Sequence, residues 1–69
     1  MMDVKITTEF IRLDSLLKLA DVCSSGGEAK TLIQSGQVFV NGEVCTARGK
    51  KLYENDSAQA CGKTLRVTK

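Results

Sequence analysis

Arg48, Lys50 and Lys51 stand in a run of four residues with Gly49 as the pliable member, the densest cationic group in a chain of 69 residues. Fixed cations at that spacing neutralise phosphates and release counterions, which makes affinity steeply salt-dependent. A solvated basic loop is the bland alternative for any such run. Arg12, Lys18 and Lys30 supply further cations upstream. Arg12 suits a forked contact to phosphate, because a guanidinium presents paired donors that an ammonium lacks. Lys18 reads equally as half of an exposed pair with Asp14, an arrangement worth about 0.3–0.5 kcal/mol on a helix surface.

A second kind of chemistry is offered by Ser25-Gly26-Gly27. If a helix begins there, its free amides and positive dipole end attract an anion, and the glycines leave the backbone uncovered. The competing reading is a turn closed by an ordinary capping box, Ser25 with Glu28, and it is the commoner use of such residues. The string Gly-Gly-Glu-Ala-Lys-Thr lacks the four-residue spacer of a phosphate-wrapping nucleotide loop, so that reading is discarded. Catalysis has little to work with. The chain has no histidine, and no paired carboxylates flank a nucleophile, so the usual acid–base sets are missing. The expectation is a non-enzyme without a cofactor. Cys23, Cys45 and Cys61 lie far apart with no Cys-x-x-Cys spacing, which argues against a zinc site and for reduced, buried thiols.

The elements that must position these residues follow from periodicity. Residues 4–8 alternate and are rich in β-branched side chains, the pattern of a first, edge strand. Leu13, Leu16, Leu17 and Ala20 recur at helical spacing, with Arg12, Asp14, Ser15 and Lys18 on the other side. Ala29, Leu32 and Ile33 make the apolar stripe of a second helix, begun at Ser25 and stopped by Gly36 in a left-handed conformation. The period then switches to two. Val38, Val40 and Val44 flank Asn41-Gly42, the strongest short hairpin signal. Residues 48–51 form a basic loop leading to Leu52, residues 54–57 a turn, and Ala58 to Thr68 a last hairpin with its turn at Gly62-Lys63. This order gives an α+β domain: two short helices packed on a small antiparallel sheet.

Size and charge narrow the class. The chain makes one domain, 1–69, with a small core and little room for a deep pocket. Residues 1–43 carry four Lys/Arg against six Asp/Glu, and residues 44–69 carry six against two, so the basic character is concentrated at the C-terminal end. No apolar run reaches membrane-spanning length and no signal-peptide core is visible at the N-terminus, which leads to an expected cytoplasmic protein without a membrane partner. Phe10, Phe39 and Tyr53 are the only aromatics. Phe10 reads as a core contact and Phe39 as facing outward. Such scarcity argues for shape and backbone recognition over base stacking.

Arg12-Leu13-Asp14-x-x-Leu17, followed by Ala29-Lys30-x-x-Ile33-x-x-Gly36-x-Val38-x-Val40-Asn41-Gly42, resembles the alpha-L RNA-binding domain, the S-four type. The Gly-Gly-Glu-Ala-Lys string and the Arg-Gly-Lys-Lys loop are similar to its stand-alone YaaA/YbcJ-like branch. The resemblance covers about residues 9–68. It implies two helices on a small curled sheet, with structured RNA, ribosomal RNA above all, lying across the helix faces and the adjoining loop. It places Arg12 at the family's contact arginine, and Ser25, Gly26, Gly27 and Lys30 at the helix start presented to the RNA backbone. In many relatives a Ser-Arg pair stands near that helix start; here Gly26-Gly27 replaces the arginine and Glu28 adds negative charge.

The expectation is therefore an RNA-binding domain, a monomer acting in ribosome assembly with ribosomal proteins nearby, whose contacts are Arg12, Lys18, Ser25, Gly26, Gly27, Lys30, Arg48, Lys50 and Lys51. A protein-interaction adaptor is the alternative, followed by a helix-turn-helix DNA binder, for which Ser25 to Glu28 offer poor base-reading groups.

Overall fold

The computed structural model describes all 69 residues. Strand β1 (Met2–Lys5) opens the chain, and a two-residue strand, β2 (Ile11–Arg12), runs directly into helix α1 (Leu13–Leu19). Helix α2 spans Gly26–Gln34. Five short strands follow: β3 (Phe39–Val40), β4 (Glu43–Val44), β5 (Lys51–Leu52), β6 (Ser57–Ala60) and β7 (Lys63–Thr68).

Both helices form on the expected apolar stripes and stop for local reasons. Leu13, Leu16, Leu17, Ala20, Ala29 and Ile33 are all buried. α1 ends as Asp21 turns left-handed at φ 60°. The Asp21 amide donates to the Lys18 carbonyl at 3.1 Å and the Val22 amide to the Leu17 carbonyl at 2.9 Å, the paired closure that satisfies a helix's last carbonyls. α2 also stops on a left-handed residue, Gly36 at φ 82°, whose amide donates to the Ile33 carbonyl at 3.2 Å.

The main sheet has the order β1-β7-β6-β3-β4. β3 and β4 are joined by Asn41-Gly42 with both φ positive, 51° and 87°, as a two-residue hairpin turn of matching twist requires. The Asn41 side chain then braces the hairpin: its Oδ1 accepts from the Ser57 amide at 3.0 Å. The β6–β7 hairpin turns on Cys61-Gly62 (φ 52° and 75°), one residue before the Gly62-Lys63 turn read from sequence. The α+β architecture is as expected, and β1 lies at an edge, although it spans Met2–Lys5 and shares only residues 4 and 5 with the expected strand at 4–8. β1 runs parallel to β7, however, so the sheet is mixed and the first and last strands lie side by side. A second, two-stranded ribbon, β2 antiparallel to β5, was not visible in the alternation pattern because each strand is only two residues long.

Every buried residue is apolar, and the buried residues form one contiguous cluster drawn from both helices and the sheet. No polar side chain is spent in the interior, so whatever chemistry the chain performs takes place on its surface. Of the three cysteines, Cys23 alone is buried; Cys45 is half-buried and Cys61 exposed, which corrects the expectation of mostly buried thiols.

Candidate nucleic-acid interface

The ribbon and the start of α1 assemble the cationic residues that the sequence spreads over forty positions. β2–β5 pairing sets Arg12 opposite Lys51 and Ile11 opposite Leu52. α1 has no side-chain cap. Its first amides are satisfied from the loop instead: Leu13 donates to the Lys50 carbonyl at 2.8 Å and Asp14 to the Arg48 carbonyl at 3.1 Å. A free helix end would leave these donors orphaned, so the same two bonds that cap the helix dock the basic loop against it. A further turn bond, Lys50 amide to Ala47 carbonyl at 3.1 Å, folds the loop back on itself. The Arg12 guanidinium lies over Gly49, where a β-carbon would meet Nη2 at 3.7 Å.

Charge within this cluster is almost uncompensated. The one ion pair in the fold joins Arg12 Nη2 to Asp14 Oδ2 at 3.3 Å, with the Arg12 side chain 52% exposed. An exposed pair of that kind is worth ~1 kcal/mol at most, so it orients Arg12 without occupying it. Asp14 is thereby committed to Arg12, and its other oxygen accepts from the Ser15 amide at 2.8 Å. The Asp14–Lys18 pair entertained from sequence does not form. Lys18 stands exposed in the last turn of α1, where the helix dipole favours a cation.

The start of α2 is built differently. Ser25 is the N-cap and its Oγ accepts from the Glu28 amide at 3.2 Å. Glu28 reaches back one residue further than the expected box: Oε1 accepts from the Ser24 amide at 3.4 Å and Oε2 from the Ser24 hydroxyl at 3.0 Å. A carboxylate thus lies at the positive end of the helix. Gly26 and Gly27 have open space where a β-carbon would sit and take no left-handed φ, so the backbone does not require glycine at either. Lys30 is exposed on α2. No hydrogen bond or ion pair ties residues 25–27 or Lys30 to the loop at 48–51. The structure therefore docks the backbone of residues 48–51 beside Arg12 at the start of α1, with no such bond to Ser25, Gly26, Gly27 or Lys30 on the neighbouring helix.

Phe10, expected as a core contact, and Tyr53, given no role from sequence, lie together beside the cluster. Phe10 is half-buried and lies outside the core, and its ring is 5.9 Å from that of Tyr53. Lys51 Nζ sits 4.8 Å from the Phe10 centroid. Their one signal is the position just beyond the Ile11–Leu52 pair, legible only once that pairing is known. Cys23, by contrast, is a packing group. Burial pushes its thiol upward, with the Glu28 charge and Cys61 adding to the shift, so it stays protonated and unreactive at neutral pH.

Residues 4–68 match the family described as the S4 domain. The chain is also 46% identical over 59 residues to the probable ribosome maturation protein RlbA of Bacillus subtilis (strain 168), an alignment covering 86% of this chain and 83% of that protein. With the match running through both helices, the basic loop and nearly all of the sheet, the chain belongs to the S4 domain family, the alpha-L type of RNA-binding domain.

Proposed function

We propose that this protein binds structured RNA, ribosomal RNA in particular, through backbone phosphates during maturation of the ribosome, and that it does so without catalysing a reaction. The observation that carries the reading is the docking of the 48–51 loop onto α1 by two main-chain hydrogen bonds, which gathers Arg12, Arg48, Lys50 and Lys51 around one helix start. Membership of the S4 domain family supports RNA as the ligand, and the relative named as a ribosome maturation protein supports the setting. Phosphate contacts fix position and supply most of the affinity, whereas a fold of this size with few aromatics reads the shape of an RNA helix.

Lys18, Lys30 and the residues at 25–27 form the second part of the proposed surface. Lys30 adds one exposed cation there. Gly26 and Gly27 let a phosphate approach the main chain, although the Glu28 carboxylate opposes it, so this part contributes less than the loop.

The experiment is fluorescence-anisotropy titration of a ribosomal RNA hairpin over a salt series, with a matched DNA duplex as competitor. Four phosphate contacts predict a log–log salt slope of roughly −3 to −4. Arg12→Ala lowers the magnitude by about 1. Saturable, salt-steep binding that the DNA duplex fails to displace supports the proposal. Displacement by DNA would move the reading to a duplex-DNA binder, and no saturable binding at low salt would move it to a protein adaptor.

A further inference from the structure

The two-stranded ribbon carries more than cations. Side chains alternate across a strand, so residues two apart share a face. Ile11 and Leu52 point inward: Leu52 is fully buried and Ile11 packs against the core. Their neighbours on either side, Phe10 and Arg12 on one strand and Lys51 and Tyr53 on the other, therefore share the opposite, outer face. The observed contacts agree. Phe10 meets Tyr53 across the ribbon at 5.9 Å and 51°, and Lys51 Nζ lies over the Phe10 ring at 4.8 Å. Two aromatics and two cations thus occupy one small outward-facing surface.

We infer that Tyr53, backed by Phe10, is a stacking platform for one unpaired nucleobase whose flanking phosphates lie on Arg12 and Lys51; the inference rests on the RNA-binding reading above. Neither ring belongs to the core, and Tyr53 is 45% exposed, so the pair is not explained by interior packing. Its backbone is nonetheless held firmly. The Thr8 hydroxyl donates to the Phe10 carbonyl at 2.8 Å. The Tyr53 amide donates to Asp56 Oδ2 at 2.8 Å and the Asp56 amide returns a bond to the Tyr53 carbonyl at 2.9 Å. That turn is fastened to β7 in both directions, Asn55 amide to Val67 carbonyl at 2.8 Å and Val67 amide to Asp56 carbonyl at 2.9 Å. A rigid, exposed ring loses little freedom when a flat partner stacks on it.

The partner's chemistry follows from the neighbours. A ring flanked by exposed cations suits a ligand that is both flat and anionic, which a nucleotide is and an apolar peptide is not. Bases inside a duplex are already stacked on one another, so the one taken here must come from a bulge, loop or end. The scarcity of aromatics noted from sequence argues against a stacking surface for a long single strand. It leaves room for a single base at the margin of a paired stem.

Tyr53 is the only tyrosine and the chain has no tryptophan, so its emission reports this site alone. The test compares an RNA hairpin carrying a single bulged adenosine in its stem with the same hairpin lacking the bulge. The bulged hairpin should bind about tenfold more tightly and quench Tyr53 emission, and the unbulged one should not quench it. Tyr53→Ala should abolish that preference while leaving the salt slope unchanged, and Tyr53→Phe should retain it. Equal affinity for the two hairpins, with unquenched emission and Tyr53→Ala binding as the wild type does, would overturn the platform and leave phosphate binding standing. A uniform loss on both hairpins in Tyr53→Ala would also overturn it, making the ring a brace for the ribbon. If neither hairpin binds at low salt, the platform and the RNA-binding reading fall together.

Discussion

The two helices begin in opposite ways, although both starts lie among residues singled out for phosphate binding. α1 has no side-chain cap and borrows the carbonyls of Lys50 and Arg48. α2 caps itself with Ser25 and draws the Glu28 carboxylate in behind. Capping from a distant loop brings that loop's cations with it, whereas capping from within the helix brings a negative charge. A helix's need to satisfy its first amides thus assembles a cation cluster at one start and works against one at the other. The positive end of a helix is a weaker guide to anion binding than the identity of what already satisfies it.

The sharpest way to break this contrast is to undermine the ribbon that carries the loop. Leu52→Ala removes a fully buried side chain of β5 and is expected to cost ~2–5 kcal/mol. Urea denaturation would measure it, and a loss under 1 kcal/mol would mean that β5 does not hold the loop in place. Next comes charge. Arg48→Ala/Lys50→Ala/Lys51→Ala should reduce the salt slope of RNA binding by roughly 3 while changing stability by only ~0.5 kcal/mol. Lys30→Ala should change the slope by about 1 or less. Equal slopes lost from the loop triple and from Lys30→Ala would put the two helix starts on the same footing.

Stability should separate the starts as well. Ser25→Ala removes a true cap and is expected to cost about 1 kcal/mol. Arg12→Ala, at the corresponding position of α1, loses only an exposed pair and should cost under ~0.5 kcal/mol. Chemical denaturation of the two single variants decides the point. At Gly26 and Gly27 the expected sign reverses. Alanine fits the space at both and should stabilise α2 by up to ~1 kcal/mol each. Weaker RNA binding in those more stable variants would be the mark of close backbone approach, and unchanged binding would remove residues 26 and 27 from the interface.

The smallest effect is one of pH. The buried Cys23 thiol is pushed above its ordinary value of 9.0 by burial first, then by Glu28 and Cys61. Above that pH the unfolded chain gives up this proton and the folded chain keeps it, so the unfolded state binds fewer protons and stability falls as pH rises. The contribution is intact below pH 9 and is lost above it. Cys23→Ala should remove that part of the alkaline decline in a denaturation series run on both proteins.

Much of the architecture was legible beforehand. The stripes at Leu13, Leu16, Leu17 and Ala20 and at Ala29 and Ile33 announced both helices, and Gly36 and Asn41-Gly42 announced a stop and a turn. The misplaced second turn has a specific cause. Cys61 adopts φ 52°, a conformation that asparagine or glycine would normally signal, so nothing in its side chain betrayed it. The candidate site was legible only as fragments. Arg12 and the 48–51 loop could be named, and Phe10 could be mistaken for a core residue, because the ribbon that relates them has no periodicity of its own.

By itself the sequence determined the helices, the stop at Gly36, the Asn41-Gly42 hairpin, the basic C-terminal bias and the family, since each is written in residues close together along the chain. Tertiary structure alone decided the parallel pairing of β1 with β7, the β2–β5 ribbon, the capping of α1 by a distant loop and the meeting of Phe10 with Tyr53. Those arrangements join segments far apart in the chain. They form because burying Leu13, Leu52, Leu65 and Val67 in one core brings their backbones together and obliges the amides and carbonyls to find partners there.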